Sequence, residues 1–312
     1  MHYAARQGGK VALGSPMKRV QFIRLATAAV LAASLSAALA RTEVVDPRVP
    51  LPQGPLGLTI QIGTNQALVD IDSASLPLAL DAELILLFEG AENLCAETLG
   101  LSATVVNPFD PAFRARLPGE AMVPLALPLV IRIEPPANAS CTPGGGALAF
   151  NHTVRAEIHT HLLPYTVESP LRLYKAPLGG HFRDITDSVA PGSVRSSGRT
   201  GGFSEFLLVI DLTTPAAAAV AKYDALAARL SNPAIDSTIR TALALDLADS
   251  RAAYDLGDFT AARVSLDTFT ARVRAASSAQ IPDRWRAQRD LDNIAGDLIG
   301  DAASLKFVIG QL

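Results

Sequence analysis

The chain has 312 residues, with 27 Lys and Arg against 30 Asp and Glu, and two cysteines. Five of the basic residues and none of the acidic ones precede Arg41, so the remainder carries a net charge near −8. A surface of that sign repels nucleic acid and offers no basic run to an anionic membrane, and two cysteines 46 positions apart make no redox or zinc motif.

Residues 1–16 hold Gly8, Gly9, Gly14 and Pro16 without a helical stripe and read as an upstream extension. From Met17, the cations Lys18, Arg19 and Arg24 lead into an uncharged run that ends on Ala38-Leu39-Ala40. That is the layout of a signal peptide, and it is shorter than the ~20 apolar residues of a membrane span. Met17 is therefore the expected start, with cleavage between Ala40 and Arg41. No second apolar run of span length follows, so the product is expected in the periplasm or the extracellular space with no membrane span. In such an oxidising compartment Cys95 and Cys141 read as one structural disulfide, worth about 4 kcal/mol in the chain-entropy model. The rival reading keeps them as two separate buried thiols.

Seventeen prolines lie between Arg41 and Asp211 and three beyond it, so turn-rich strands are expected first and helices second. Residues 41–55, with four prolines, read as an extended lead-in. Leu58, Ile60 and Ile62 alternate with polar neighbours, as do Ala67, Val69 and Ile71. Residues 83–88 read as a strand apolar on both faces, and residues 101–106 and 129–133 as two more. Asp110-Pro111 predicts a short helical turn. Residues 148–161 form the clearest strand, with His152 on its apolar face and His159 and His161 on its polar one. Strands are also expected at 171–174 and 203–210, with loop over 185–200. The fold class expected is α+β in two domains. Residues 56–211 would form an antiparallel, immunoglobulin-like β-sandwich.

Residues 214–312 would form a small helical bundle. Thr214-Pro215 opens the first helix, with Val220, Tyr223, Ala227 and Leu230 on one stripe. A second helix spans about 236–255. The third carries Ala262, Leu266, Phe269 and Val273 at the spacing of a packed hairpin. Pro282-Asp283 opens a last helix whose stripe includes Trp285, Leu291, Ala295, Leu298, Ala302 and Leu305.

Residues 252–262, Ala-Ala-Tyr-Asp-Leu-Gly-Asp-Phe-Thr-Ala-Ala, resemble the helix–turn–helix of tetratricopeptide repeats, although no 34-residue period exists. Residues 236–305 are more similar to the FIMAH-type helical domain that ends many secreted bacterial proteins. Residues 170–211 are similar to the sheet domain of an uncharacterised group of exported bacterial proteins joined to such a tail. The resemblance implies an architecture and a location and brings no catalytic residues.

His159 and His161 are the one pair with metal-ligand spacing, since residues two apart on a strand project from the same face. Glu157, His181 and Asp184 are the candidate further ligands. The plainer alternative is a solvated face continued from Arg155 and Glu157. Gly202-Phe203-Ser204-Glu205-Phe206 lacks the second glycine of a nucleophile elbow, and Gly144-Gly145-Gly146 lacks a phosphate-loop lysine. No catalytic residue and no cofactor are expected. These features together predict an exported, non-enzymatic binding or interaction protein whose partner is an envelope protein or a glycan. The alternative is a metal-binding or hydrolytic envelope protein built around His159 and His161.

Overall fold

A computed structural model describes residues 42–44, 56–72, 80–164, 169–190 and 194–312. The leader, the cleavage position and residues 45–55 lie outside the described residues. In chain order the first strands are β1 (Thr42–Val44), β2 (Gly57–Ile62), β3 (Gln66–Asp72), β4 (Asp81–Phe88) and β5 (Ala91–Glu92). Helix α1 (Ala96–Leu99), β6 (Leu101–Val105), α2 (Pro111–Arg114), β7 (Ala121–Met122) and β8 (Leu129–Ile133) follow. Then come β9 (Ala149–Asn151), β10 (Val154–Thr160), β11 (Leu171–Ala176), β12 (Arg183–Asp184), β13 (Thr186–Ala190), β14 (Val194–Thr200) and β15 (Glu205–Asp211). Helices α3 (Pro215–Leu230), α4 (Ser237–Asp255) and α5 (Phe259–Ala276) precede β16 (Arg284–Arg286) and α6 (Ile294–Ile309).

The strands form a seven-stranded sheet in the order β1-β2-β3-β4-β10-β14-β13 and a second sheet in the order β12-β11-β15-β8-β6. Their pairings are antiparallel. The buried faces meet in one core, where Ile60, Val69, Leu84, Leu86, Ala156 and Ile158 face Ile131, Ile133, Leu173, Phe206 and Leu208 in a sandwich-like arrangement. The outer face of the second sheet is buried as well, by Phe113 and Phe182 over Tyr174, Leu207 and Val209. Asp110 caps α2 through a bond from the Ala112 N–H, as the sequence predicts. Cys95 and Cys141 form the disulfide, which ties α1 to the loop before β9.

Four expectations need correction. Strand β4 is apolar on both faces but buried on only one: Ala82, Leu84, Leu86 and Phe88 are buried, while Leu87 is exposed on the outer face. Residues 185–200 are not mainly loop, because β13 and β14 extend the first sheet there. Their Ser and Gly residues have low strand propensity, yet the tight fit selects them. A Cβ on Gly198 would stand 2.2 Å from the Ile185 carbonyl oxygen.

The single strand expected over 148–161 breaks at His152, whose φ of 54° turns the chain from one sheet to another. Strand β9 pairs with β16 and β5, whereas β10 lies between β4 and β14. His152 is accordingly no core residue; it sits half-exposed, 3.5 Å from Asp283. Lastly, Trp285 does not ride a helical stripe. It lies in β16 opposite Phe150 and joins the sheet core, and α6 begins only at Ile294.

The helices keep a core of their own, with Ala262, Leu266, Phe269 and Val273 buried on α5 and Tyr223, Leu226 and Leu230 on α3. Val220, expected on that stripe, is exposed and Ala219 takes the inner position. Sheets and helices belong to one compact unit, residues 41–312. Helix α6 is buried almost all round. It lies against β14 because Gly296 and Gly300 present no side chain: a Cβ on either would approach the backbone oxygen of His152 or Arg199 to 2.2 Å.

Candidate functional site

That close approach creates a cleft of about 460 Å³ where the sheet edges meet the helices. Lys175 enters from β11 and Arg183 from β12, in register opposite each other. The turn Gly201-Gly202-Phe203-Ser204 forms one wall, Arg229 and Asn232 come from the end of α3, and Trp285 from β16. Asp292, Asn293 and Asp297 come from the start of α6. Trp285 is stacked on Phe150 at 5.3 Å and meets Phe203 edge-on at 5.2 Å, so the aromatic wall is rigid.

The charged groups are locked together. Asp297 Oδ1 accepts from the Gly201 N–H at 3.0 Å and from Thr200 Oγ1 at 3.2 Å, and its Oδ2 accepts from Arg229 at 3.1 Å. Arg229 also donates to Asp301 at 2.6 Å, and Arg183 donates to the other oxygen of Asp301. Burial alone would raise the Asp297 pKa; the charges of Lys175, Arg229 and Arg183 and the Gly201 N–H outweigh it and hold the carboxyl well below the usual range. Half-buried Lys175 donates to Thr200 Oγ1 and, among the described residues, pairs with no carboxylate within 4 Å. Burial pushes its pKa down to about 8; Arg183 and Arg229 push the same way, against Asp297 and Asp301.

This combination suits ligand binding. An aromatic wall gives shape and apolar contact, and polar groups held by other polar groups give direction without reorganisation. The residues come from six elements spread over 123 positions, from Lys175 to Asp297, and no spacing unites them. One cue was available: Asp297 and Asp301 stand four apart in a largely apolar helix, and buried carboxylates need cationic partners.

The sequence-predicted residues lie elsewhere. His159 and His161 share the outer face at the end of β10, rings 4.8 Å apart. His159 Nδ1 lies 3.1 Å from Glu83, and His161 Nδ1 lies 3.4 Å from Asp81. The candidate further ligands are engaged otherwise: Glu157 pairs with Arg155 and Arg195, and Asp184 with Lys222. Among the described residues no group of three or more His, Cys, Asp or Glu is arranged to hold a metal ion. No described helix is long and apolar enough to cross a membrane.

A family model described as "Family of unknown function (DUF6689)" matches residues 23–312. The chain belongs to that family. The match spans sheets and helices together, so the DUF6689 unit includes both walls of the cleft. No curated protein and no solved structure matches this DUF6689 chain.

Proposed function

We propose that this chain is an exported, non-enzymatic binding protein of the bacterial envelope or extracellular space, and that the cleft between sheets and helices takes a sugar ligand. The observation that carries the reading is the cleft itself, with Trp285 and Phe203 beside Asn232, Ser204, Asp292 and the Lys175–Arg183–Arg229 set. Sugars combine apolar ring faces with a rim of hydroxyls, and they are held by aromatic walls and fixed donors and acceptors. The disulfide and the leader-like residues 17–40 support the location. The alternative reading around His159 and His161 draws less support: Glu83 lies beside His159 and Asp81 beside His161, and among the described residues no group of three or more His, Cys, Asp or Glu is arranged to hold a metal ion.

Trp285 is the only tryptophan, so its fluorescence reports the cleft directly. Titration with saccharide fractions released from bacterial envelope is expected to give a saturable change that Arg229→Ala weakens. Cell fractionation is expected to place the chain outside the cytoplasm with both thiols oxidised. A cytoplasmic chain with free thiols, or a tryptophan signal indifferent to every saccharide, would overturn the reading.

A further inference from the structure

The proposed sugar site leaves one cation, Lys175, without a direct carboxylate contact among the described residues, and that cation names the ligand class. Arg183 and Arg229 each donate to carboxylates of α6, and Asp297 and Asp301 are in turn saturated by them. Lys175 faces Thr200 of β14, Arg183 of β12, Arg229 of α3, and Asp297 and Asp301 of α6, yet among the described residues its one hydrogen-bond acceptor is the Thr200 hydroxyl. An ammonium has three donors, so two remain for a ligand. Lys175, Arg183 and Arg229 face Asp292, Asp297 and Asp301, and of the three cations Lys175 is the one that, among the described residues, contacts no carboxylate directly. A partly buried ammonium with open donors gains when an anionic acceptor joins it.

We infer, on the reading of the cleft as a sugar site, that its ligand is an acidic sugar whose carboxylate is received by Lys175. The ring would lie along Trp285, and the exposed Asp292 would accept from hydroxyls at the cleft mouth. A neutral sugar could use the wall and the rim but would bring no anionic acceptor to the lysine's open donors. A bare anion could meet the lysine but would forgo the wall. The net negative charge of the chain repels long polyanions, which favours a short acidic saccharide over a nucleic acid.

Isothermal titration and Trp285 fluorescence on the full-length exported protein decide this, with galacturonate, its dimer and trimer, galactose, acetate and inorganic phosphate as probes. The expected result is a Kd at least tenfold lower for the uronates than for galactose, acetate or phosphate. Lys175→Met is expected to erase that preference by weakening uronate binding at least tenfold, and Lys175→Arg to restore part of it. Near pH 8.5, uronate binding is expected to take up protons in the wild type and not in Lys175→Met. Circular dichroism of both variants guards against misfolding. Equal binding of galactose and galacturonate would overturn the acidic class and leave the sugar site standing. Equal binding of phosphate or acetate would overturn the sugar portion. A preference that survives Lys175→Met would overturn the assignment of Lys175. Silence toward every probe, in a correctly folded protein, would remove both the acidic class and the site.

Discussion

Two regions of this molecule bear chemistry, and they are built in opposite ways. The outer face of the first sheet carries His159 and His161 two residues apart, each beside one carboxylate of β4 or its edge. The cleft carries Lys175, Arg183, Arg229, Asp297 and Trp285, none of which neighbours another in sequence. The first is local, with Glu83 beside one histidine and Asp81 beside the other. The second is assembled by packing, and its groups share partners. Proximity along the chain and cooperation in space are different properties, and the proposed site rests on the second.

The largest test of that contrast is Trp285→Ala, which removes the wall and part of the sheet core together. It is expected to cost about 4 kcal/mol in urea unfolding and to abolish cleft binding; an unaffected Kd would deny the wall its role. Asp297→Ala comes next, because it leaves the Gly201 N–H without its acceptor and Arg229 with Asp301 alone. A loss of about 3 kcal/mol is expected, and a loss under half of that would mean the network is solvent-screened. Gly296→Ala forces α6 off the backbone at His152, and about 2 kcal/mol of destabilisation is expected from overpacking.

A smaller effect follows from pH. Folded Lys175 titrates at about 8 against the ordinary 10.5, so in that interval the unfolded chain holds more protons and stability rises with pH. The rise should stand out between pH 8 and 10 and flatten in Lys175→Met. Above pH 10, buried Tyr174, donating to Asp211 at 2.6 Å, acts in the opposite sense because burial and that carboxylate keep its phenol protonated. The smallest effect belongs to the histidine face. His161→Ala, at an exposed histidine beside an exposed Asp81, is expected to change stability by less than about 1 kcal/mol and to leave cleft binding unaltered. A tenfold change in saccharide Kd would show that the two regions communicate.

Several elements could be read without coordinates because the physics that sets them is short-ranged. Alternation at Leu58–Ile62 and Ala67–Ile71 places β2 and β3, Asp110-Pro111 places α2, and the 3-4-3-4 spacing from Ala262 to Val273 places the inner face of α5. Where such reading failed, a distant partner had intervened. Trp285 looked helical because Leu291, Ala295 and Leu298 continue its spacing; pairing with Phe150 made it a strand residue instead. Gly198 looked like loop because its strand propensity is poor, but the approach of the Ile185 carbonyl leaves no room for a Cβ there.

The composition alone determined the change from strands to helices near residue 211, the paired cysteines and the leader-like pattern, since proline content, cysteine number and runs of like residues need no knowledge of contacts. The tertiary structure alone decided that α6 lies on β14 at two glycines and that five charges and a tryptophan converge there. Backbone approach and the pairing of buried charge depend on distances between segments more than a hundred residues apart, and no linear pattern encodes those distances.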